Sequence, residues 1–201
     1  MQKAVVFDVG RVLFDWQLRA LFEKLIADED ELNWFLANVV TEDWHFEHDR
    51  GRPLAEMVPQ RIAQFPSYEE HLNAYQTRFN ETIPGPVAGT HEIVGELHQA
   101  GVPLFCLTNF GHEFWAGFRP EHALFDLFSD IIVSGTEKVA KPDPRIYEIV
   151  EERSGRRGED LFFTDDNPAN IEAALARGWQ AHLFTDATSL RTRLQGAGLL
   201  K

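Results

Sequence analysis

Five short apolar runs punctuate the chain: residues 3–9 (KAVVFDV), 102–108 (VPLFCLT), 130–134 (DIIVS), 161–164 (LFFT) and 179–184 (WQAHLF). None alternates strictly between apolar and polar residues. Continuous runs of this length suit strands buried on both faces of a parallel sheet. Between the later runs the period becomes helical. Val87, Ile93, Val94 and Leu97 share one helical face, and Gly101 marks its end. Asp143 ahead of Pro144 predicts a capped helix start, with Ile146, Ile149 and Val150 on its inner side. Asn167 ahead of Pro168 repeats that device, and Gly178 stops the helix. Strand and helix alternate as in a doubly wound α/β domain with a parallel, Rossmann-like sheet.

Residues 15–83 break the alternation. They hold amphipathic helical stretches and no convincing strand, and they return through Pro84-Gly85-Pro86, which reads as a linker or hinge. The pattern predicts a helical cap over 15–83, inserted into a core made of 1–14 and 84–201. Trp16, Phe22, Trp34, Phe35, Trp44 and Phe46 supply aromatic area for a small core of the cap's own.

Composition narrows the function classes. A net charge of −13 argues against a nucleic-acid-binding surface, which needs clustered Lys and Arg. No stretch is apolar and long enough to span a membrane. Asp8, Arg11, Asp15 and Arg19 interrupt the first twenty residues, so no secretory leader is expected there. Cys106 is the single cysteine, which excludes an internal disulfide and fits a reducing cytoplasm. Its place inside an apolar run predicts a buried, inert thiol.

Polar residues cluster where the predicted strands stop. The first strand delivers Asp8, the second ends in Thr108-Asn109, Lys141 follows the third, and Asp165-Asp166 closes the fourth. Each motif alone is a common turn; four in this order at the carboxyl edge of a sheet are far more specific. Three converging carboxylates repel one another unless a cation sits among them, and a hard divalent ion such as Mg²⁺ resolves this. Lys141 adds positive charge and Thr108 and Asn109 add hydrogen-bond donors for a phosphoryl group. Asp8 is then placed to attack phosphorus as a carboxylate nucleophile.

Asp8, Leu107-Thr108-Asn109, Lys141-Pro142 and the run FFTDDNPANIEAA resemble the four ordered motifs of the haloacid dehalogenase-like hydrolase superfamily. The resemblance extends along the chain, with the insertion where that superfamily places a small helical cap. It is nearest to the phosphatase branch that includes bacterial glucose-1-phosphate phosphatases, so a small phosphorylated metabolite, a sugar phosphate among the options, is the implied substrate. By this resemblance Asp8 is nucleophile and metal ligand, and Thr108, Asn109 and Lys141 bind phosphate. Asp166 binds Mg²⁺ directly, Asp165 through water, and Gly10 through its backbone carbonyl. Position 10 is glycine where most phosphatases of the superfamily carry a second aspartate as general acid and base; a cap residue is the expected substitute as proton donor, His48 first and Asp49 second. Arg11 is either a substrate contact or a structural ion pair. In the cap, His48, Asp49 and Arg50 precede Gly51 as a similar acid-base cluster does in that branch, and are candidate substrate contacts. His45 is expected on a solvated helix end. Two other readings stay open: a 2-haloacid dehalogenase using the same aspartate, and a degenerate relative that binds a phosphorylated ligand without turnover.

Overall fold

The structure, a computed structural model, describes residues 2–201. In chain order the strands are β1 (Ala4–Phe7), β2 (Phe14–Asp15), β3 (Gly85–Pro86), β4 (Leu104–Thr108), β5 (Asp130–Val133), β6 (Leu161–Asp165) and β7 (Gln180–Leu183). The helices are α1 (Arg19–Phe22), α2 (Glu29–Asn38), α3 (Glu42–Asp49), α4 (Leu54–Gln64), α5 (Glu69–Thr77), α6 (Thr90–Gln99), α7 (His112–Phe118), α8 (Ser134–Glu137), α9 (Pro144–Ser154), α10 (Pro168–Ala176) and α11 (Ala187–Gly196).

Each of the five apolar runs is a strand of one parallel sheet, in the order β5-β4-β1-β6-β7. The chain builds outward from β1 to β5 on one side and then crosses to β6 and β7 on the other. The order therefore reverses at β1, and a crevice opens beyond its carboxyl end. Val5 and Phe7 of β1 face Ile93, Val94 and Leu97 of α6 and Leu190 and Leu194 of α11. Ala4 and Val6 face Ile146 and Val150 of α9 and Ile171 and Ala174 of α10. Both faces are dry, which is why the strands show no alternation. Cys106 is fully buried in β4.

The two proline-started helices are capped as their sequences predict. Asp143 accepts from Arg145 N–H and Asn167 from Ala169 N–H, each at 2.9 Å. Val87 differs from its expectation: Gly89, at φ +82°, turns the chain into the helix, which begins at Thr90 and leaves Val87 outside.

Residues 16–84 form α1–α5 and short 3₁₀ turns. The segment is joined to the core by the antiparallel pair β2–β3, with Phe14 opposite Pro86 and Asp15 opposite Gly85. Gly85-Pro86 is thus a paired ribbon and not a free linker. The aromatic residues of the insertion do not make a separate core. Trp44, Phe22 and Phe35 belong to one apolar cluster that continues into β1 and α6. Phe79 stacks on Phe114 at 3.7 Å between ring centroids, and Trp34 is 46% exposed.

The end of α3 is locked to the core. Ser134 Oγ donates to the Asp49 carbonyl (2.6 Å) and accepts from Phe110 N–H (2.9 Å). His48 lies so close over Gly111 that a β-carbon there would stand 1.9 Å from its Cδ2. No helix among the described residues is long and apolar enough to cross a membrane.

Candidate active site

β1 is apolar through Phe7 and then delivers Asp8 just past its last paired residue. The Asp8 N–H donates to Thr164 O (3.0 Å), and its Oδ1 accepts from Val9 N–H (2.7 Å), so backbone and carboxylate are both fixed. β6 ends on Asp165, and the loop ahead of α9 brings in Lys141. The Lys141 ammonium reaches Asp8 Oδ1 at 2.9 Å and Asp165 Oδ2 at 2.6 Å, all three side chains being buried. One oxygen from each of Asp8, Asp165 and Asp166 lies within 4.8 Å of the others.

The two adjacent acids differ in their surroundings. Asp165 is fully buried and also accepts from Asn167 N–H (2.8 Å) and from Asn170 Nδ2 (3.0 Å to each oxygen). Asp166 is half-buried at the cavity, with Arg11 Nη1 3.9 Å away. Burial pushes the Asp8 carboxyl up to about 8; Lys141 opposes that, while Asp165 and Asp166 add to it. Asp166 is also raised, by burial and then by Asp165, against the pull of Arg11. Burial works against the Lys141 charge, but Asp165 and Asp8 outweigh it and hold the ammonium above its ordinary range. Three carboxylates face one ammonium here. The cradle is negative and offers hard oxygen donors, a set that fits a divalent cation such as Mg²⁺.

Thr108 is buried and its Oγ1 has no hydrogen-bond partner among the described residues. Asn109 lines the cavity, but both ends of its amide are engaged with the Lys141 backbone: Oδ1 accepts from N–H (2.8 Å) and Nδ2 donates to the carbonyl (3.0 Å). It holds the lysine loop in place.

A cavity of about 370 Å³ opens over Asp8, Gly10, Asn109, Lys141 and Asp166, walled on the other side by Trp16, His45, Phe46, Asp49 and Phe79. Arg11, at φ +59°, crosses between the walls. It bonds Glu42 of α3 at 2.6 Å and lies over the Trp16 ring at 4.9 Å. Arg11 is therefore an ion-pair strut that also lines the cavity.

Of the three residues ahead of Gly51, only Asp49 lines the cavity. His48 is wholly buried against Gly111 and Phe114, its Nδ1 2.8 Å from Arg52 O. Arg50 is exposed and folds over the Phe46 ring. The expectation that these two contact substrate, and that His48 is the first candidate proton donor, is corrected on that ground: docking of α3 turns His48 into the interface and Arg50 out to solvent.

His45 reverses its expectation as well. It is buried in the cavity wall, stacked between Trp16 and Phe79, with Nδ1 2.7 Å from the Tyr75 hydroxyl. Burial lowers its imidazole to about 4, so it is neutral. Asn170 was also missed by sequence reasoning. Its signal was an amide on the same stripe of α10 as Ile171 and Ala174, five residues after Asp165.

A family model described as haloacid dehalogenase-like hydrolase matches residues 2–178. A sesquiterpene phosphatase of Aspergillus oryzae is 25% identical over 185 residues, covering 92% of this chain and 91% of that protein. A phosphoglycolate phosphatase of Pectobacterium atrosepticum is 34% identical over 127 residues, 63% of this chain and 51% of its own length. Among solved structures, a HAD-family enzyme from Bacteroides thetaiotaomicron, in complex with magnesium and inorganic phosphate, superposes with a TM-score of 0.69 at 19% identity. That match covers 92% of this chain and 96% of the other.

Proposed function

Because the chain belongs to the haloacid dehalogenase-like hydrolases, we propose that it is a Mg²⁺-dependent phosphatase that acts on a small phosphorylated metabolite through an aspartyl-phosphate on Asp8. The observation that carries this reading is the meeting of Asp8, Asp165 and Asp166 within 4.8 Å beside the buried Lys141. Displacement of halide from carbon needs the nucleophile alone. Asp166 in an empty cradle would then add a third carboxylate beside Asp8 and Asp165, offset by Arg11 alone at 3.9 Å.

In this reading Asp8, Asp166 and the Gly10 carbonyl would hold the ion, and Asp165 would act on it through water because Lys141, Asn167 and Asn170 already occupy its oxygens. Bound there, Mg²⁺ neutralises charge on the phosphoryl oxygens. Lys141 adds a second positive charge, and the unpartnered Thr108 hydroxyl donates to a phosphoryl oxygen. Asn109 fixes the Lys141 loop with its Oδ1 and one N–H, and the second N–H of its amide remains to donate to a phosphoryl oxygen. Asp8 attacks phosphorus in line with the leaving oxygen, and water then hydrolyses the acyl phosphate.

Residues 15–83 act as a cap that sees the leaving alcohol. Trp16, Phe46 and Phe79 make much of its side of the cavity aromatic, and Phe110 adds to this from the core, which favours an apolar alcohol, as in the substrate named for the sesquiterpene phosphatase. A sugar phosphate is the second reading. Aromatic faces also accept the C–H face of a sugar, and Glu42 and Asp43 at the cavity offer hydroxyl acceptors. One screen tests these readings: phosphate release from prenyl, alkyl, glycolyl and sugar phosphates, with Mg²⁺ or excess chelator, beside chloride release from 2-chloropropionate. Phosphate release that stops with chelator is the expected result. Chloride release without metal overturns the reading, and release of neither ion turns it to a ligand-binding relative.

A further inference from the structure

Expelling an alkoxide from phosphorus needs a proton at the leaving oxygen, a contribution of about 10²–10⁴-fold when a positioned group supplies it. Gly10, two residues beyond the nucleophile, has no side chain to give one. The carboxylates around the cavity are otherwise engaged. Asp8 and Asp165 share Lys141, Glu42 pairs with Arg11, Asp166 faces Arg11 in the cradle, and Asp43 sits exposed on the first turn of α3.

Asp49 is the exception. It is 5% exposed yet lines the cavity, and it has no Lys or Arg within ion-pair distance among the described residues. Its Oδ1 has no hydrogen-bond partner, and its Oδ2 lies 3.5 Å from His45 Nε2. The backbone beneath it is rigid, because Ser134 Oγ clamps its carbonyl to the loop that follows Thr108-Asn109. In the tautomer in which the Tyr75 hydroxyl donates to His45 Nδ1, the imidazole carries its N–H at Nε2, on the side of Asp49 Oδ2.

We propose that Asp49 is the general acid and base of the reaction, positioned by His45; this rests on the phosphatase reading. In the first half, an Asp8 oxygen bonds phosphorus as the phosphorus–ester oxygen bond breaks. The departing oxygen takes the Asp49 proton and leaves as the alcohol. In the second half, water attacks the phosphoryl group and gives a proton to the Asp49 carboxylate. The phosphorus–Asp8 bond breaks, releasing inorganic phosphate and restoring both carboxyls to their starting states. Burial suits Asp49 to the first task by pushing it up to about 7, with His48, the Gly111 N–H and Lys141 pulling the other way. The groups around it are His45 and His48 on its own helix, Tyr75 from α5, Lys141, and the other acids of the cavity.

The test compares kcat/KM for an alkyl and an aryl phosphate, in wild type and Asp49→Asn. The alkyl substrate should lose about 10²-fold or more, and p-nitrophenyl phosphate at least tenfold less, because p-nitrophenolate leaves without a proton. Equal losses on both, or none on the alkyl substrate, overturn the assignment. Wild-type pH profiles test it independently of how the variant folds. Ionisation of Asp8 acts on both substrates alike, so the alkyl limb is read as the ratio of alkyl to aryl kcat/KM. That ratio should fall above about pH 7 as Asp49 loses its proton, and a ratio that does not change with pH contradicts the assignment. His45→Phe keeps the ring stacking and removes Nε2–H, so the alkyl limb should move to higher pH. An unmoved limb takes His45 out of the assignment. If wild type releases phosphate from neither substrate, the phosphatase reading itself fails.

Discussion

The two walls of the cavity are built on opposite principles. On the sheet side, Asp8, Asp165 and Lys141 are buried together in one network of bonds no longer than 3.0 Å, with the Thr108 hydroxyl left unpartnered beside it. On the insertion side the wall is mostly aromatic, and two of its buried polar atoms, Trp16 Nε1 and Asp49 Oδ1, have none. A saturated network is rigid and holds one geometry, whereas an unpaired buried polar atom costs stability until a ligand satisfies it. The first wall suits a group that never varies, the phosphoryl group. The second suits the part of a substrate that does.

The largest expected effect falls on the saturated wall. Asp8→Asn keeps the volume and removes the nucleophile, so phosphate release should drop below detection in a steady-state assay. Activity above about a tenth of wild type would dissolve the distinction between the walls.

The next effect separates the two adjacent acids. Asp165→Ala leaves the Lys141 ammonium short of a buried partner, and breaking such a pair costs about 3–5 kcal/mol. Thermal unfolding should therefore shift clearly downward. Asp166→Ala removes a half-buried group with no short bond, so it should weaken Mg²⁺ affinity in calorimetry with little change in Tm. Equal thermal losses would mean that the two acids do the same job.

A smaller effect probes the unsaturated wall through pH. Asp49 binds its proton more tightly folded (about 7) than at its ordinary value of 3.8. Its contribution to stability is therefore whole below 3.8 and is lost as pH rises through about 7. Asp49→Asn removes that loss, so with chelator present the variant should gain stability relative to wild type between pH 5 and pH 8. An unchanged difference across that range would show that Asp49 is not strained in the fold. The smallest effect belongs to Trp16→Leu, expected to raise KM a few-fold for an apolar alcohol phosphate with kcat nearly unchanged. A larger loss in kcat would move Trp16 from the binding surface into the chemistry.

The walls also differ in how far the sequence announces them. The sheet side follows from local rules. Runs buried on both faces read as parallel strands, and strand ends carry Asp8, Thr108, Asn109, Lys141, Asp165 and Asp166 to one edge. The insertion side does not, because α3 has few apolar residues and its inner face is set by docking. His45, His48 and Asp49 are buried by contact with Gly111, Phe114, Ser134 and Tyr75, which lie 30 to 85 positions away in the chain. A polar helix with such remote partners reads as solvated. The second task of Asn109, holding the Lys141 loop, is illegible for a related reason: its partner there is the Lys141 backbone, and backbone groups leave no mark in a sequence.

The central claim is that phosphate passes through Asp8. Acid-quenched wild-type enzyme, taken during turnover of a phosphate ester with Mg²⁺ and analysed by peptide mass spectrometry, tests it most directly. The account predicts one added phosphoryl group on the peptide that carries Asp8, labile to mild base and absent from Asp8→Asn. Sustained phosphate release with that peptide unmodified, or a phosphoryl group on another residue, would contradict it.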